Sequence, residues 1–201
     1  MSNITPIFSD FVYEDTDEEL AYELLPVCKQ LLSKCGSDNR YLNGTTTFYS
    51  EDPKVNNFQE WDYPVLDKFY EFVLKNVEEY IETMKIKFHT KPKLTHVWIS
   101  EMREGGSHEF HVHGNSWISG NFFVKIPNSS AKLVFQRPNY GFDMWSGAKF
   151  WKPKTINNIE YSFSPSVGKL LLFKSSMIHG VRHNYSDSRI CISFNIDLVK
   201  D

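Results

Sequence analysis

The sequence has few cysteines, no long apolar run and no excess of charge of one sign. Its three cysteines are odd in number, which argues against a disulfide framework and is typical of a reducing compartment. The longest apolar runs, such as that around residues 169–173, are far too short to cross a bilayer. The stretch MSNITPIFSD lacks the charged and apolar regions of a signal peptide. We therefore expect a cytoplasmic protein without a membrane partner.

The charge balance also lacks a basic surface for nucleic acid. The 22 Lys and Arg residues and the 25 Asp and Glu residues are well mixed, and the net charge is −3. A nucleic-acid backbone is therefore not the expected partner. A length of 201 residues fits one domain with a sizeable core. A homodimer is compatible with this sequence, and homodimers are the commonest oligomers in general.

The spacing of apolar residues changes once along the chain, from a helical pattern to a strand pattern. Helical spacing predicts a helix from Glu18 to Cys35, with Gly36 as its stop, and a second helix from Pro64 to Met84. The segment between them is polar and rich in turn residues, and it contains one short predicted strand at Thr45–Tyr49. Residues 1–93 are therefore expected to be helical support and a connecting segment.

From Leu94 onward the pattern predicts strands separated by turns rich in Gly, Pro, Asn and Ser. The predicted strands are Leu94–Met102, Glu109–Val112, Trp117–Ile126, Lys132–Gln136, Ile159–Phe163, Lys169–Lys174 and Ile190–Leu198. No alternation of strands and helices occurs here, so the sheets should be mainly antiparallel. The prediction is a single domain of the mainly β (α+β) class, in which residues 94–201 form a sandwich or jelly roll.

Histidines gather at two places in this β region. His111 and His113 are two residues apart, so on one strand they would point to the same side, and a second strand could bring His179 beside them. Three imidazoles with open positions would make a catalytic metal site, because histidine is the commonest protein metal ligand. Glu109 and Asn115 share the same face, so either could replace one histidine, although an amide is a poorer ligand.

Two further histidines lie beside these candidates. His108 has the opposite parity to His111 and His113, and His183 follows His179 in a predicted turn. We therefore expect both to be outer-shell or surface residues.

Three ordered blocks of the sequence resemble the signature regions of the iron(II)- and 2-oxoglutarate-dependent oxygenases. The blocks are HVHGNSWISGNFFVKIP, SPSVGKLLLFKSSMIHGVRHN and SRICISFN. More narrowly, they resemble small bacterial and phage members with the pattern H-x-H-x-N-S-x-x-S-G. The resemblance covers roughly residues 94–198 and implies a double-stranded β-helix.

The resemblance implies a dioxygenase that uses Fe(II), 2-oxoglutarate and dioxygen, with ascorbate as a further candidate cofactor, and that hydroxylates an unidentified peptidyl or small-molecule substrate. Its metal ligands would be His111, His113 and His179. The family at large has a carboxylate where this chain has His113. A second alignment takes His113 and Asn115 as the proximal pair, but two imidazoles bind better than one imidazole and an amide.

The resemblance also implies a cosubstrate site. Arg189 lies ten residues after His179, the interval at which these oxygenases place a cation for the distal carboxylate of 2-oxoglutarate. The competing interpretation is a surface salt bridge. Ser193 could add a hydroxyl, and Asn121 could contact either a ligand carboxylate or a neighbouring strand. The aromatic loop from Asn139 to Pro153 could form a lid over the substrate.

Two other classes of function remain open. The spacing from Gly105 to His111 and His113 also resembles the start of a cupin motif, which would mean a metal-dependent dioxygenase or isomerase without 2-oxoglutarate. The usual downstream Glu of that motif is absent. Alternatively, the missing carboxylate would mark a degenerate barrel that binds a ligand without turnover.

Overall fold

Two long helices cover one side of the molecule, and their apolar faces point inward. In this computed structural model, which describes residues 10–35, 43–86, 91–138 and 159–198, helix α1 spans Glu18–Leu32 and α3 spans Pro64–Thr83. Asp17 caps α1 because its carboxylate accepts a hydrogen bond from the Leu20 N–H, at 2.9 Å. The two helix predictions are confirmed, with α1 three residues shorter and α3 one residue shorter at the C-terminal end.

Short elements connect these helices. Helix α2 is a single turn at Pro53–Asn56, and two 3-10 turns lie at Thr47–Tyr49 and Phe58–Glu60. The prediction of a strand at Thr45–Tyr49 is partly wrong. The strand spans Gly44–Thr46 and is followed directly by the first 3-10 turn. No helix in the described part of the chain is long and apolar enough to span a membrane.

In the described ranges of the chain, ten strands form two facing sheets. In chain order they are β1 (Val12–Thr16), β2 (Gly44–Thr46), β3 (Pro92–Met102), β4 (His108–His111), β5 (Ile118–Lys125), β6 (Leu133–Gln136), β7 (Glu160–Phe163), β8 (Lys169–Lys174), β9 (Ile178–Val181) and β10 (Arg189–Leu198). The six-stranded sheet has the order β1-β8-β5-β10-β3-β2, and the four-stranded sheet has the order β4-β9-β6-β7. All described pairs are antiparallel, which confirms the predicted jelly roll with supporting helices.

Adjacent residues of the six-stranded sheet face two different cores. Phe122 packs with Phe69 of α3, whereas Phe123 belongs to the core between the sheets. This follows from the alternation of side chains along β5. The helices therefore cover the outer face of the six-stranded sheet and leave its inner face for the space between the sheets.

Two strands were not predicted, and both are short. β1 has the sequence VYEDT, whose acidic residues are poor strand formers, and β9 is only four residues long and contains Gly180. β1 and β2 lie before residue 94, so the N-terminal part of the chain contributes strands as well as helices to the β core.

Gly168 links the start of α1 to β8, and we predict that replacing it with alanine destabilises the fold. Its φ is +76°, and an added Cβ would lie 2.4 Å from the Asp17 carbonyl oxygen. The Gly168 carbonyl also accepts the Asp17 N–H, at 2.9 Å, so the two segments cannot separate freely. Gly168→Ala should lower the free energy of unfolding by about 2–3 kcal/mol, measured by urea denaturation.

Gly114→Ala is the matched control, because no atom lies within 4 Å of its added Cβ. It should change the free energy of unfolding by less than about 0.5 kcal/mol. Equal urea midpoints for the two variants would contradict the steric argument at Gly168.

Candidate metal and cosubstrate site

The pairing of β4 with β9 brings two histidines face to face. His111 lies directly opposite His179, and their ring centroids are 4.4 Å apart. The close approach of the two strands requires Gly180, since a Cβ there would lie 2.9 Å from the His108 carbonyl oxygen. A glycine beside His179 is therefore part of the geometry that joins the two sequence blocks.

His113 joins this pair from outside the strand. β4 ends at His111, so the expectation that both histidines share one strand is only half right. The His113 N–H donates to the Ser175 carbonyl, at 2.9 Å, which holds the chain near the start of β9. One ligand nitrogen from each of His111, His113 and His179 lies within 4.8 Å of the others. The three imidazoles are thus close enough to share one ion.

Backbone carbonyls orient two of the three rings. His111 Nδ1 donates to the Glu109 carbonyl at 2.7 Å, and His179 Nδ1 donates to the Met177 carbonyl at 2.8 Å. A carbonyl only accepts hydrogen bonds, so each proton must sit on Nδ1, which leaves the Nε2 electron pair for a metal. The His113 ring stacks on His179, with centroids 5.1 Å apart and planes 7° from parallel.

Burial keeps two of the rings neutral. Desolvation, with a smaller contribution from neighbouring histidines, lowers the pKa of His113 to about 4 and that of His179 to about 3. Both imidazoles are therefore unprotonated near pH 7. A metal ion would not have to displace a proton from either of them.

The two alternative ligands lie elsewhere. The Glu109 side chain is exposed, and the residue contributes its backbone carbonyl to the orientation of His111. Asn115 is exposed and lines a groove on the outer side of His113. The structure therefore gathers the three histidines, and neither alternative joins them.

Arg189 is a buried cation beside this cluster. It is 2% exposed, and its guanidinium carbon lies 5.1 Å from the centre of the Phe123 ring. Among the described residues, its Nη1 has a hydrogen-bond contact with the Cys191 sulfur alone, at 3.7 Å, and its Nε has no partner. Within the described ranges no ion pair involves Arg189. The interpretation of Arg189 as part of a surface salt bridge is therefore wrong.

An unpaired buried guanidinium is costly unless an anion joins it. Arg189 and the three histidines line the same cavity between the two sheets, together with Asn121 and Ser193. The residues present therefore fit a ligand that has a metal-chelating end and a carboxylate at the other end, and 2-oxoglutarate has both.

Asn121 and Ser193 are cross-strand partners in β5 and β10. Asn121 Nδ2 donates to Ser193 Oγ, at 2.7 Å. Of the two interpretations of Asn121, the cross-strand hydrogen bond is the one observed. Both residues nevertheless line the cavity. Because Ser193 Oγ accepts from Asn121, its own hydrogen can go to a further acceptor, such as the Cys191 sulfur 3.9 Å away or a ligand carboxylate.

His108 lies closer to the metal cluster than its parity predicts. Its ring centroid is 4.3 Å from that of His111, it lines the same cavity as Arg189, and desolvation lowers its pKa to about 4. Of the two predicted alternatives, the outer-shell one agrees with the structure and the surface one is wrong, because the pairing of β4 with β9 shifts register between His108 and His111. A bulge breaks the alternation on which the parity argument depends. His183, by contrast, is exposed as expected and contacts Tyr185.

Trp98 is a residue of the site that the sequence interpretation missed. It lies on β3, and its ring stacks on His113 with centroids 5.8 Å apart. Its only sequence signal is an aromatic side chain within a predicted strand, which is ordinary for a core position. The aromatic loop Asn139–Pro153 lies outside the described residues.

The sequence matches one family model, and the fold matches many solved structures. The model is described as "Putative 2OG-Fe(II) oxygenase" and matches residues 96–195, about half of the chain. These residues include all three clustered histidines, Arg189, Asn121 and Ser193. No curated protein sequence matches this chain.

Three crystal structures illustrate the similarity of fold. A prolyl-4-hydroxylase from Pseudomonas putida has a TM-score of 0.63 and 10% identity, with 94% of this chain and 93% of that chain covered. HygX from Streptomyces hygroscopicus, with nickel and 2-oxoglutarate bound, has a TM-score of 0.60 and 9% identity, with 94% and 83% covered. The viral collagen prolyl hydroxylase of Paramecium Bursaria Chlorella virus-1 has a TM-score of 0.58 and 14% identity, with 94% and 96% covered.

The family match and the geometry agree. The matched segment carries the histidine cluster, and the fold around that cluster is that of the solved 2-oxoglutarate oxygenases. The chain belongs to the 2-oxoglutarate- and Fe(II)-dependent oxygenases, non-haem iron enzymes that use 2-oxoglutarate and dioxygen.

Proposed function

We propose that this oxygenase binds iron(II) through His111, His113 and His179 and holds 2-oxoglutarate between the metal and Arg189, in order to hydroxylate a peptidyl or small-molecule substrate. The observation that carries the proposal is Arg189 itself. It is a buried guanidinium without a carboxylate partner in the described residues, and it lines the same cavity as three clustered imidazoles.

With iron(II) and 2-oxoglutarate bound, such a site reduces dioxygen, placing one oxygen atom in succinate as carbon dioxide is lost and the other in a C–H bond of the substrate. The protein supplies ligation and orientation. The Glu109 and Met177 carbonyls fix the rings of His111 and His179. Arg189 holds the distal carboxylate through its planar fork, and Ser193 donates its hydroxyl to the same group.

The third imidazole changes the charge of the site. In the family at large a carboxylate takes the place of His113 and removes one unit of positive charge from the ferrous centre. Three neutral imidazoles leave the full positive charge on the ferrous centre. A more positive centre favours a dianionic cosubstrate, so the substitution suits 2-oxoglutarate and alters the redox poise of the iron.

The similar structures support both substrate classes. One is a prolyl hydroxylase from Trichoplax adhaerens in complex with a peptide fragment, and another is HygX with hygromycin B bound. The oxidised group of this chain's substrate therefore belongs to a peptide or to a free small molecule. The functional unit would be one domain, because β1 and β2 from the first 93 residues join the same sheet as β10.

An anaerobic titration tests the proposal and separates the two candidate ligand sets. Adding iron(II) and 2-oxoglutarate to metal-free protein should produce the visible charge-transfer band of an iron-bound 2-oxo acid. His111→Ala should remove the band, because it deletes the ligand that distinguishes the proposed set from the alternative pair of His113 and Asn115. Asn115→Ala should keep it, because Asn115 is exposed and outside the cluster.

The opposite result, a band lost in Asn115→Ala and kept in His111→Ala, would establish the alternative alignment. Iron binding without a band would favour a cupin-type reaction without 2-oxoglutarate. Absence of iron binding in the wild type would indicate a degenerate barrel.

A further inference from the structure

A second concave surface, which we call the outer groove, begins where the inner cavity ends. The two share Trp98, His108, His111 and His113. The aromatic residues that line the outer groove are Phe48, Tyr49 and Trp98, which we call the aromatic wall. A molecule in the outer groove would therefore lie next to the proposed metal ligands without occupying the space in front of Arg189.

The rings of the aromatic wall pack against one another, although Phe48 and Tyr49 are exposed. Phe48 is 48% exposed and makes edge contacts with Tyr49 and Trp98, at centroid distances of 5.0 and 5.4 Å. Trp98 in turn stacks on His113. The wall thus forms a continuous apolar surface from solvent to the metal cluster.

Hydrogen bonds fix the segment that carries Phe48. The Thr46 hydroxyl accepts the Phe48 N–H at 3.2 Å, and the buried Thr47 hydroxyl accepts the Ile99 N–H at 3.0 Å. The segment is thereby attached to β3. A rigid aromatic surface left in contact with water is typical of a binding site.

The outer groove differs from the inner cavity in charge. Its lining within the described residues contains no Lys, Arg, Asp or Glu, whereas the inner cavity contains Arg189. A charged ligand group would lose hydration here without gaining a counter-charge from a side chain of the groove. The surface therefore favours an uncharged ligand.

Asn195 gives the outer groove one directed polar group. Its Oδ1 accepts a hydrogen bond from Ser119 Oγ at 2.9 Å, which leaves Nδ2 as a donor. Asn195 lines the outer groove, and no described residue accepts from its Nδ2. A carbonyl oxygen is the simplest complement to such a donor.

We infer that the outer groove binds an uncharged, ring-bearing amide portion of the substrate, with the ring against Phe48 and Trp98 and the carbonyl oxygen towards Asn195. The inference rests on the proposed function for the identity of the neighbouring metal site. It assigns the anionic cosubstrate to the inner cavity and the neutral substrate to the outer groove.

Three probes that share one ring test this assignment: benzamide is neutral, benzoate is an anion and benzamidine is a cation. Dissociation constants would be measured by ligand-observed NMR on protein loaded with diamagnetic zinc(II) and 2-oxoglutarate, so that the inner cavity is filled. Benzamide should bind at least tenfold more tightly than either charged probe. Phe48→Ser should weaken benzamide binding about fivefold to tenfold, because the ring loses its aromatic partner.

Tyr185→Ser is the matched control, because Tyr185 is 67% exposed and does not line the outer groove. It should leave benzamide binding unchanged. The inference is overturned if benzamide does not bind, if Phe48→Ser has no effect, or if a charged probe binds as tightly in a Phe48-dependent manner.

The same probes separate this inference from the proposed function. If the charge-transfer band forms with iron(II) but the preference for benzamide is absent, only the inference about the substrate fails. If the band is absent but the Phe48-dependent preference persists, measured also on metal-free protein, the outer groove is a ligand site and the proposed function fails.

Discussion

His179→Ala is expected to abolish iron binding, with a loss of affinity of at least about a hundredfold. Removal of an outer partner of a metal ligand alone costs 10- to 100-fold, and His179 is a proposed ligand rather than a partner. It lies opposite His111, is 5% exposed, and its orientation is fixed by the Met177 carbonyl. Iron content after anaerobic desalting, together with the charge-transfer band, measures the effect.

His183→Ala is the control for this substitution. His183 is in the same sequence block but is exposed and contacts Tyr185 rather than the cluster. It should retain both iron and the band. If His179→Ala, shown to be folded by circular dichroism, keeps stoichiometric iron, the three-histidine ligand set is incorrect.

Arg189→Met is expected to weaken the binding of 2-oxoglutarate by about two to four orders of magnitude while leaving iron binding intact. The estimate follows from the roughly 3–5 kcal/mol that breaking a buried charge pair costs. Because Arg189 has no carboxylate partner among the described residues, the metal-free protein should not lose stability when methionine replaces it. It should gain stability, since an unpaired buried cation is removed.

Arg189→Met should thus weaken 2-oxoglutarate binding but stabilise the ligand-free protein. Thermal unfolding with and without 2-oxoglutarate measures both effects. In the iron-loaded wild type, 2-oxoglutarate should raise the unfolding temperature, because it binds only the folded state. That increase should disappear in Arg189→Met. Arg182→Met is the control, since Arg182 is an exposed residue paired with Glu160. A large loss of stability in ligand-free Arg189→Met would mean that the guanidinium has a structural role instead.

The sequence predicts most of the β core because the strands there are apolar and bounded by turns. β8 is predicted to the residue, since four buried apolar side chains stand between two lysines. β1 and β9 are not predicted, because the acidic residues of β1 and the glycine of β9 are poor strand formers. A strand of this kind is specified by its neighbours and not by its own sequence.

In the candidate site, too, some positions follow from the local sequence and others depend on tertiary contacts. The proximity of His111, His113 and His179 could be predicted from spacing and resemblance, and the burial of Arg189 agrees with the role that the resemblance implies. The choice between the outer-shell and the surface position of His108 could not be made from the sequence, because the bulge between His108 and His111 depends on pairing with β9. Trp98 and Phe48 come from elements distant in sequence, so only the tertiary structure brings them to the metal cluster.

The central position of β10 has a consequence for the order of events during folding. This strand lies between β3 and β5 and carries both Arg189 and Ser193, yet β3 begins about a hundred residues earlier. Its partners must wait for a distant segment, and such non-local pairing makes folding slow, on the order of milliseconds to seconds. The cosubstrate site cannot exist in an intermediate that lacks β10. 2-Oxoglutarate can therefore bind only after β10 has paired with its neighbours. It cannot act as a template on which the barrel forms.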